Sequence, residues 1–455
     1  MGTTVTPDMA RPRGAARMAR KALAAGTVGN FVEWYEWAIY GFSAPIIATL
    51  FFPKVDTTAA LLATFGIYGV GFLVRPLGGF FFGHLGDKIG RRNVLSAVLL
   101  LMGAGTTIIG LLPVYGQIGL LAPLLLLVAR LIQGFSAGGE FPGANSFILE
   151  YAPAERRGFW AAISLSSTVL PTIVGALTVM AFTSLLSPDA YATWGWRVPY
   201  LIAAPMAIVG LWIRLKMEDT PAYREVAATD TVEKLPLVRA IKEYPKEIAY
   251  ALAFSTLTGV VFYIVSGYFV TFLTINVGIP QTTALLSTVV AYSLFLIAAP
   301  VFGLLSDRVG RKPVLYLGSA TLAVLSVPAF FITQGASLGS AILGQALLVL
   351  GLSITGAGMA VTQAEMFPTR VRYSGASFAY NIAYAVFGGT APMMCAFLIA
   401  QSGSKLAPGI YIAVLAVVVF FFVRAAPETY KVSLSQGPER RRRSGDADGQ
   451  DAATF

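Results

Sequence analysis

Cysteine and histidine are nearly absent, with one of each in 455 residues. A single Cys395 cannot close an intramolecular disulfide, and a lone His84 with no clustered ligands leaves no metal-ligand spacing. Charge is scarce too. Charged residues make up 12% against 56% hydrophobic, far outside the mix of a soluble domain. The net charge of +10 invites a nucleic-acid reading. However, the cations lie between apolar segments rather than on a polar surface interleaved with aromatics, so no nucleic-acid partner is expected. Glycine-rich stretches sit inside apolar runs and lack the Lys-Ser/Thr of a phosphate loop, and no nucleophile elbow occurs. A nucleotide-driven pump, an enzyme, a metal and a bound cofactor are therefore all unexpected.

What is abundant is apolar run. Segments long enough to span a bilayer, at about 20 residues each, fall at 23–50, 61–85, 94–112, 119–149, 158–182 and 196–214. After a polar stretch, six more follow at 247–273, 282–304, 314–332, 338–364, 372–400 and 408–425. The chain divides into a basic N-terminus (1–22), a six-helix bundle (23–214), a linker (215–246) with room for one amphipathic helix, a second bundle (247–425) and a tail (426–455). The tail is polar and without heptads, which predicts disorder. Its Arg440 to Arg443 cluster reinforces topology, with an anionic-lipid contact as the alternative.

Cations accumulate on the cytoplasmic side of membrane proteins. With both termini cytoplasmic, Lys54, Arg197 and Lys405 are external and Arg75 and Arg130 are intramembrane, and the rest of the 33 Lys and Arg are cytoplasmic. Arg11 to Lys21 has the charge of a signal-peptide start, but the apolar run after it is too long and carries two glutamates. It reads as a retained first helix.

The chain is also duplicated. Gly83-His-Leu-Gly-Asp-Lys-Ile-Gly-Arg-Arg92 recurs as Gly303-Leu-Leu-Ser-Asp-Arg-Val-Gly-Arg-Lys312, each closing the second apolar run of its half. Glu150-Tyr-Ala-Pro153 through Arg157 is echoed by Glu365-Met-Phe-Pro368 through Arg372, each after a fourth run. Two correspondences at nearly one offset predict two matching halves.

These motifs resemble the major facilitator superfamily, whose loop signature between helices two and three is G-x-x-x-D-x-x-G-R-[RK]. Further motifs resemble its metabolite:proton symporter branch: Gly29-Asn-Phe-Val-Glu-Trp-Tyr-Glu-Trp-Ala-Ile-Tyr-Gly41, Phe72-Leu-Val-Arg-Pro-Leu-Gly-Gly79, Arg130-Leu-Ile-Gln-Gly134 with Gly138-Gly-Glu140, Trp194-Gly-Trp-Arg-Val-Pro199 and Phe367-Pro-Thr-Arg-Val-Arg-Tyr373. The resemblance implies an all-α fold of twelve helices in two pseudo-symmetric bundles. It also implies alternating-access import of a small organic solute with a proton, the gradient being the driving force. Branch substrates include α-ketoglutarate, citrate, shikimate, dicarboxylates and proline or betaine. The first-helix motif commonly ends in Asp-Phe, where this chain has Glu36-Trp37. Related antiporters carry a Gly-Pro in the fifth helix, whereas this chain has Leu170-Pro171, which sets a proton-coupled exporter second. A transporter-like sensor or scaffold is remoter still, since linker and tail hold no recognisable domain. Monomeric function in the cell inner membrane, in contact with lipid, follows by default.

Buried charge can be argued from cost alone. An ionisable group in the bilayer interior needs a pairing or a function. Asn30, Glu33, Trp37 and Tyr40 form a stripe on the first helix, with Glu36 beside it, and Glu33 lies roughly 15 Å from the cytoplasmic end. Arg130 lies about as deep on the fourth helix, with Gln133 one turn on. We expect two layers: Glu33, Glu36 and Arg130 around a transport site with Asn30, Tyr40 and Gln133, and Arg75 paired with Glu140 below. Arginine's fork suits a carboxylate, and either glutamate is a candidate proton carrier. The alternative is that these charges only tie the bundle together.

The second half offers Tyr263, Ser266, Tyr268 and Thr271 on its first helix and Tyr380, Asn381 and Tyr384 on its fifth as an opposite wall; the alternative, expected of Tyr268, is that such tyrosines anchor at interfaces or hydrogen-bond between helices. The motif residues Gly83, Asp87, Gly90, Arg91 and Arg92, with Asp307, Gly310, Arg311 and Lys312, are expected to latch the halves on the cytoplasmic side. Glu150 and Glu365 would be their counter-charges, beside Arg157 and Arg372. His84 occupies a motif position that is Leu304 in the second copy, so it is not read as a pH sensor.

Overall fold

The computed structural model describes residues 15–53, 56–89, 91–136, 145, 148–149, 152–215 and 236–432. No strand occurs among them. Twelve principal helices follow in order: α1 (Ala15–Phe51), α2 (Thr57–Ile89), α3 (Arg91–Leu111), α4 (Leu121–Ser136), α5 (Ala154–Leu185), α6 (Ala203–Leu215), α7 (Pro245–Val277), α8 (Gln281–Val309), α9 (Arg311–Thr333), α10 (Leu338–Glu365), α11 (Val371–Ser402) and α12 (Ala407–Ala425). Eight of them contain stretches long and apolar enough to cross a membrane, and shorter apolar stretches occupy α3 and α4. In hydrocarbon a backbone must satisfy its own hydrogen bonds, which is why such runs become helices. Their outward faces are apolar as well, with Leu77, Ile297, Val324 and Phe421 all exposed.

α1 begins earlier than the apolar run. Its 37 residues rise about 55 Å at 1.5 Å each, beyond the ~30 Å hydrocarbon thickness, so the alanine-rich basic start continues the helix past the lipid. A short helix, Pro236–Glu243, stands in the linker.

Two helices of the second half depart from α geometry. In α7 the Phe269 amide bonds back to the Ile264 carbonyl, and the Gly278 amide reaches Leu273 at 2.9 Å. In α11 the Gly389 amide bonds to Tyr384 at 2.8 Å. These are i→i+5 turns, which are rare and collect at functional sites. Hydrophobic periodicity carries no signal for them.

Glycines set the closest approaches. A Cβ on Gly134 of α4 would collide with the Gly71 carbonyl of α2, so this pair packs backbone to backbone. Between the halves, a Cβ on Gly41 of α1 would lie 2.6 Å from the Gly267 Cα of α7, and one on Gly158 of α5 2.5 Å from the Gly303 carbonyl of α8. Gln281 on α8 donates to the Phe42 carbonyl at 2.9 Å, and Asn145 donates to the Ala360 carbonyl at 2.8 Å. The halves therefore touch towards both ends, enclosing the groups between.

Candidate substrate and proton site

Two arginines lie at the centre of the first half, and their settings differ. Arg75 of α2 forms a buried ion pair with Glu33 of α1. Its guanidinium also lies 5.4 Å from the Phe72 ring centre and 5.8 Å from that of Trp37. Arg130 of α4 is fully buried and makes no ion pair among the described residues. Its Nη1 donates to Gln133 Oε1 at 2.9 Å, Gln133 in turn donates to Thr106 Oγ1, and its Nε and Nη2 have no partner. What surrounds the cation is aromatic: Tyr40 at 3.6 Å, Trp37 at 4.8 Å and Tyr68 at 5.3 Å. Ring faces favour a cation by their quadrupole, which lets Arg130 stay charged with two nitrogens uncommitted.

Glu36 lies on the far side of this group. It is buried against Thr106 and Gln133, in the field of Arg130, and its Oε1 has no hydrogen-bond partner. The expected layers thus exist with different membership. Glu33 pairs with Arg75 rather than standing by Arg130, and Glu140, the partner expected for Arg75, lies outside the described residues. Helix register explains the exchange. Tyr40 and Tyr68 stack at 5.6 Å across the antiparallel α1–α2 pair, so seven residues down α1 and seven along α2 bring Glu33 to Arg75, about two turns from the Tyr40 level. Asn30 lies in α1, but its side chain is outside the described residues.

The second half contributes rings. Tyr263 of α7 touches Phe72 at 4.7 Å, Tyr384 at 5.8 Å, and Trp34 and Tyr68 at 6.2 Å each, and its hydroxyl has no partner. Tyr380 stacks on Tyr384 at 3.9 Å. Ser266 turns back to its own helix, bonding the Phe262 carbonyl at 2.8 Å. Asn381 is partly exposed and is not brought into the ring cluster. Tyr268 is not an interfacial anchor: it is buried and packs edge-on against Phe65 of α2 at 5.7 Å. Thr271 is buried with a free hydroxyl. Trp34, Tyr68 and Phe72 were not singled out from sequence. The signal was their spacing on α1 and α2 relative to Glu33 and Arg75, legible only once the helix register is known.

At the cytoplasmic end the second motif copy is fully described. Arg311 grips Glu365 with two 3.0 Å bonds and Asp307 with one of 2.9 Å. Asp307 crosses to the first half, accepting from the Gly158 and Phe159 amides at 2.7 and 2.9 Å. A carboxylate on those amides meets the positive end of α5. Arg157 lies 3.9 Å from Glu365. Gly310 turns the chain at φ 104°, a conformation only glycine adopts freely. Lys312 does not reach across: it caps α12 through the Arg424 and Ala426 carbonyls. Arg372 donates from Nε to the Ala364 carbonyl at 2.9 Å. Gly83, Asp87, Arg91 and Arg92 are helical, but their surroundings, and the whole of Gly90 and Glu150, lie outside the described residues.

The tail starts ordered rather than disordered. Glu428 accepts from the Arg311 and Lys312 amides at 3.0 Å each, Thr429 donates to Glu365 at 3.0 Å, and Tyr430 donates to the Asp307 carbonyl at 2.7 Å. Arg157 reaches over to the Val432 carbonyl at 3.0 Å. Polarity predicted solvation, but here it satisfies an otherwise uncapped helix start. The remainder, from 433, lies outside the described residues.

Residues 26–392 match the family described as Major Facilitator Superfamily. The chain belongs to that superfamily. Among its relatives is the proline/betaine transporter of Escherichia coli (strain K12), 36% identical over 410 residues, covering 88% of this chain and 81% of that one. Another is the glycine betaine/proline/ectoine/pipecolic acid transporter OusA of Dickeya dadantii, 36% identical over 408 residues with the same coverage. The solved xylose transporter XylE from E. coli, in a partially occluded inward-open form, superposes with a TM-score of 0.71 at 19% identity. The match covers 91% of this chain and 99% of that one and shows the fold alone. This major facilitator protein is thus a multi-pass membrane transporter of small organic solutes rather than an enzyme, with twelve helices in two bundles.

Proposed function

We propose that the chain imports a small zwitterion together with a proton, by alternating access. The carboxylate of the solute docks on Arg130, and the proton is carried by Glu36. The observation that carries this reading is the pair of uncommitted nitrogens on a fully buried Arg130. A buried cation lacking a partner is expensive, and a carboxylate supplied by the substrate matches its planar fork. The names of the relatives, transporters of proline and betaines, favour a zwitterion over a dicarboxylate.

Glu36 is preferred to Glu33 as carrier because its Oε1 is free of hydrogen bonds, so gaining or losing a proton breaks no ion pair. Glu33 is committed to Arg75. In this reading Asp307 and Arg157 hold the cytoplasmic gate, Arg311 and Glu365 hold those two in place, and the proton gradient is the driving force without a bound cofactor. The chain works as a lipid-embedded monomer of the cell inner membrane, both termini cytoplasmic.

The test is labelled-solute uptake into proteoliposomes with and without an imposed pH gradient, alongside substrate counterflow. The expected result is gradient-dependent accumulation of proline or a betaine, lost in Glu36→Gln while counterflow persists. Accumulation unaffected by the gradient, or intact proton dependence in Glu36→Gln, overturns it.

A further inference from the structure

The zwitterion reading leaves the cationic end of the solute unassigned. We infer that Trp34, Tyr68, Phe72, Tyr263 and Tyr384 form an aromatic cage for that end, and that the cage selects N-methylated ammonium groups over primary ones. The inference rests on the reading above that the solute is a zwitterion held by Arg130.

Among the described residues no carboxylate is placed to receive a cation on the side facing the second half. The described acids of α7–α12 and the segment after them, Glu247, Asp307, Glu365 and Glu428, all lie at the cytoplasmic end of their helices. Glu33 is engaged by Arg75. Glu36 and Trp34 are two residues apart, about 200° around the helix at 3.6 residues per turn. Glu36 therefore faces α3 and α4, and Trp34 faces α7.

On the Trp34 side the site is lined by rings from both halves. Trp34 and Tyr263 lie nearly parallel, 21° apart with centres separated by 6.2 Å, and Phe72, Tyr68 and Tyr384 meet the same Tyr263 edge-on. Rings here already hold cations: Arg130 lies over Tyr40 and Trp37, and two rings of the cage are shared in this way, Tyr68 with Arg130 at 5.3 Å and Phe72 with Arg75 at 5.4 Å. No cation of the described residues lies over Trp34, Tyr263 or Tyr384. Three polar atoms there, Trp34 Nε1, Tyr68 Oη and Tyr263 Oη, are buried without partners. The i→i+5 turns of α7 and α11 begin beside Tyr263 and enclose Tyr384, giving these two rings backbone that can shift by one hydrogen-bond register as a solute enters.

Ring faces discriminate in a definite direction. A primary ammonium stripped of water has three N–H donors to satisfy, and here the Tyr68 and Tyr263 hydroxyls alone are free to accept, since an indole N–H and aromatic faces supply no acceptor. A quaternary ammonium donates none and spreads its charge over methyl groups that pack on rings. Carboxylate to Arg130 and methylated nitrogen to the rings would place the solute's dipole across the two bundles, so that binding draws the halves onto one molecule.

The test uses the full chain in proteoliposomes, reading competition against labelled glycine betaine counterflow. Competitors are glycine, N,N-dimethylglycine, glycine betaine, proline and 3,3-dimethylbutanoate, the carbon isostere of glycine betaine, which keeps the carboxylate and lacks the cationic nitrogen. Affinity is expected to rise along the methylation series, with the isostere at least tenfold weaker than glycine betaine. Trp34→Leu and Tyr263→Leu are expected to weaken glycine betaine at least tenfold and proline less, while Tyr263→Phe, which keeps the ring, stays within threefold of wild type. The ligand series on wild-type protein needs no variant to fold. Equal competition by the isostere without the cationic nitrogen overturns the cage, as does equal loss of proline and betaine in monodisperse Leu variants. If proline binds but quaternary amines do not, the cage fails and the zwitterion reading stands. If no amino-carboxylate competes at all, the zwitterion reading itself has failed.

Discussion

The two bundles share a fold and a loop motif but divide the chemistry. At its centre the first half places Glu33, Glu36, Arg75 and Arg130, while among the described residues the second places tyrosines and no carboxylate, histidine, lysine or arginine. At the cytoplasmic end Asp307, Arg311 and Glu365 of the second half meet helix-start amides and Arg157 of the first, while the charged side chains of the first motif copy lie outside the described residues. Duplication therefore did not preserve symmetry of function. One bundle keeps the charges a solute and a proton address, and the other keeps a neutral wall that can move past them without carrying its own desolvation cost.

The division can be broken deliberately, and the largest effect is expected at Arg130. Arg130→Ala should reduce zwitterion uptake at least 100-fold, with Arg130→Lys still more than tenfold down because an ammonium lacks the planar fork. Initial uptake rates in proteoliposomes with equal protein content read this directly. Near-wild-type transport in the lysine variant would show that only charge matters.

Next comes Glu33. Glu33→Gln takes from Arg75 the carboxylate it pairs with in a buried site, a change worth about 3–5 kcal/mol when one partner of a buried pair is removed. The expectation is lost thermal stability in detergent, with the double variant Glu33→Gln/Arg75→Gln recovering most of it. A double variant no more stable than the single would mean the pair is not a unit.

Asp307→Asn tests the seam between the bundles. It weakens two charge-assisted bonds onto the α5 start, and at about 1.5–3 kcal/mol for a bond to a charged group the cytoplasmic side should open more readily. Labelling of a cysteine introduced at Ala162, which faces Gly303, in a Cys395→Ser background should rise severalfold. Unchanged labelling would place the seam's strength elsewhere.

The smallest effect is expected at the start of the tail. Glu428→Ala removes a cap on the α9 amides, typically worth about 1 kcal/mol, and should lower the melting temperature by a few degrees while changing uptake less than threefold.

Much of the first bundle's chemistry was legible in the chain, because a charge inside an apolar run of bilayer length is conspicuous whatever its neighbours. Which charge meets which was not. Glu33 pairs with Arg75 because α1 and α2 lie antiparallel with Tyr40 beside Tyr68, and no one-dimensional pattern supplies that register. The rings were harder still, since an aromatic in an apolar run is ordinary until others converge on it. Lys312 and Glu428 misled in the opposite sense. Both read as gate or tail by polarity, yet they cap the ends of α12 and α9, a local need that outweighs charge pairing across the seam.

Composition, run length and the repeated motif by themselves determined that this is a membrane protein of twelve spans in two matching halves, with costly charges in the first; that it is a transporter followed from the family its motifs resemble. The bilayer admits few other solutions for such runs. Tertiary packing alone decided that Arg130 is left with open nitrogens among rings, that Glu36 and not Glu33 is unpaired, and that α7 and α11 bend out of α geometry beside those rings. Those outcomes depend on how helices turn and slide against one another, a matter of close backbone contacts such as Gly71 with Gly134 and Gly41 with Gly267.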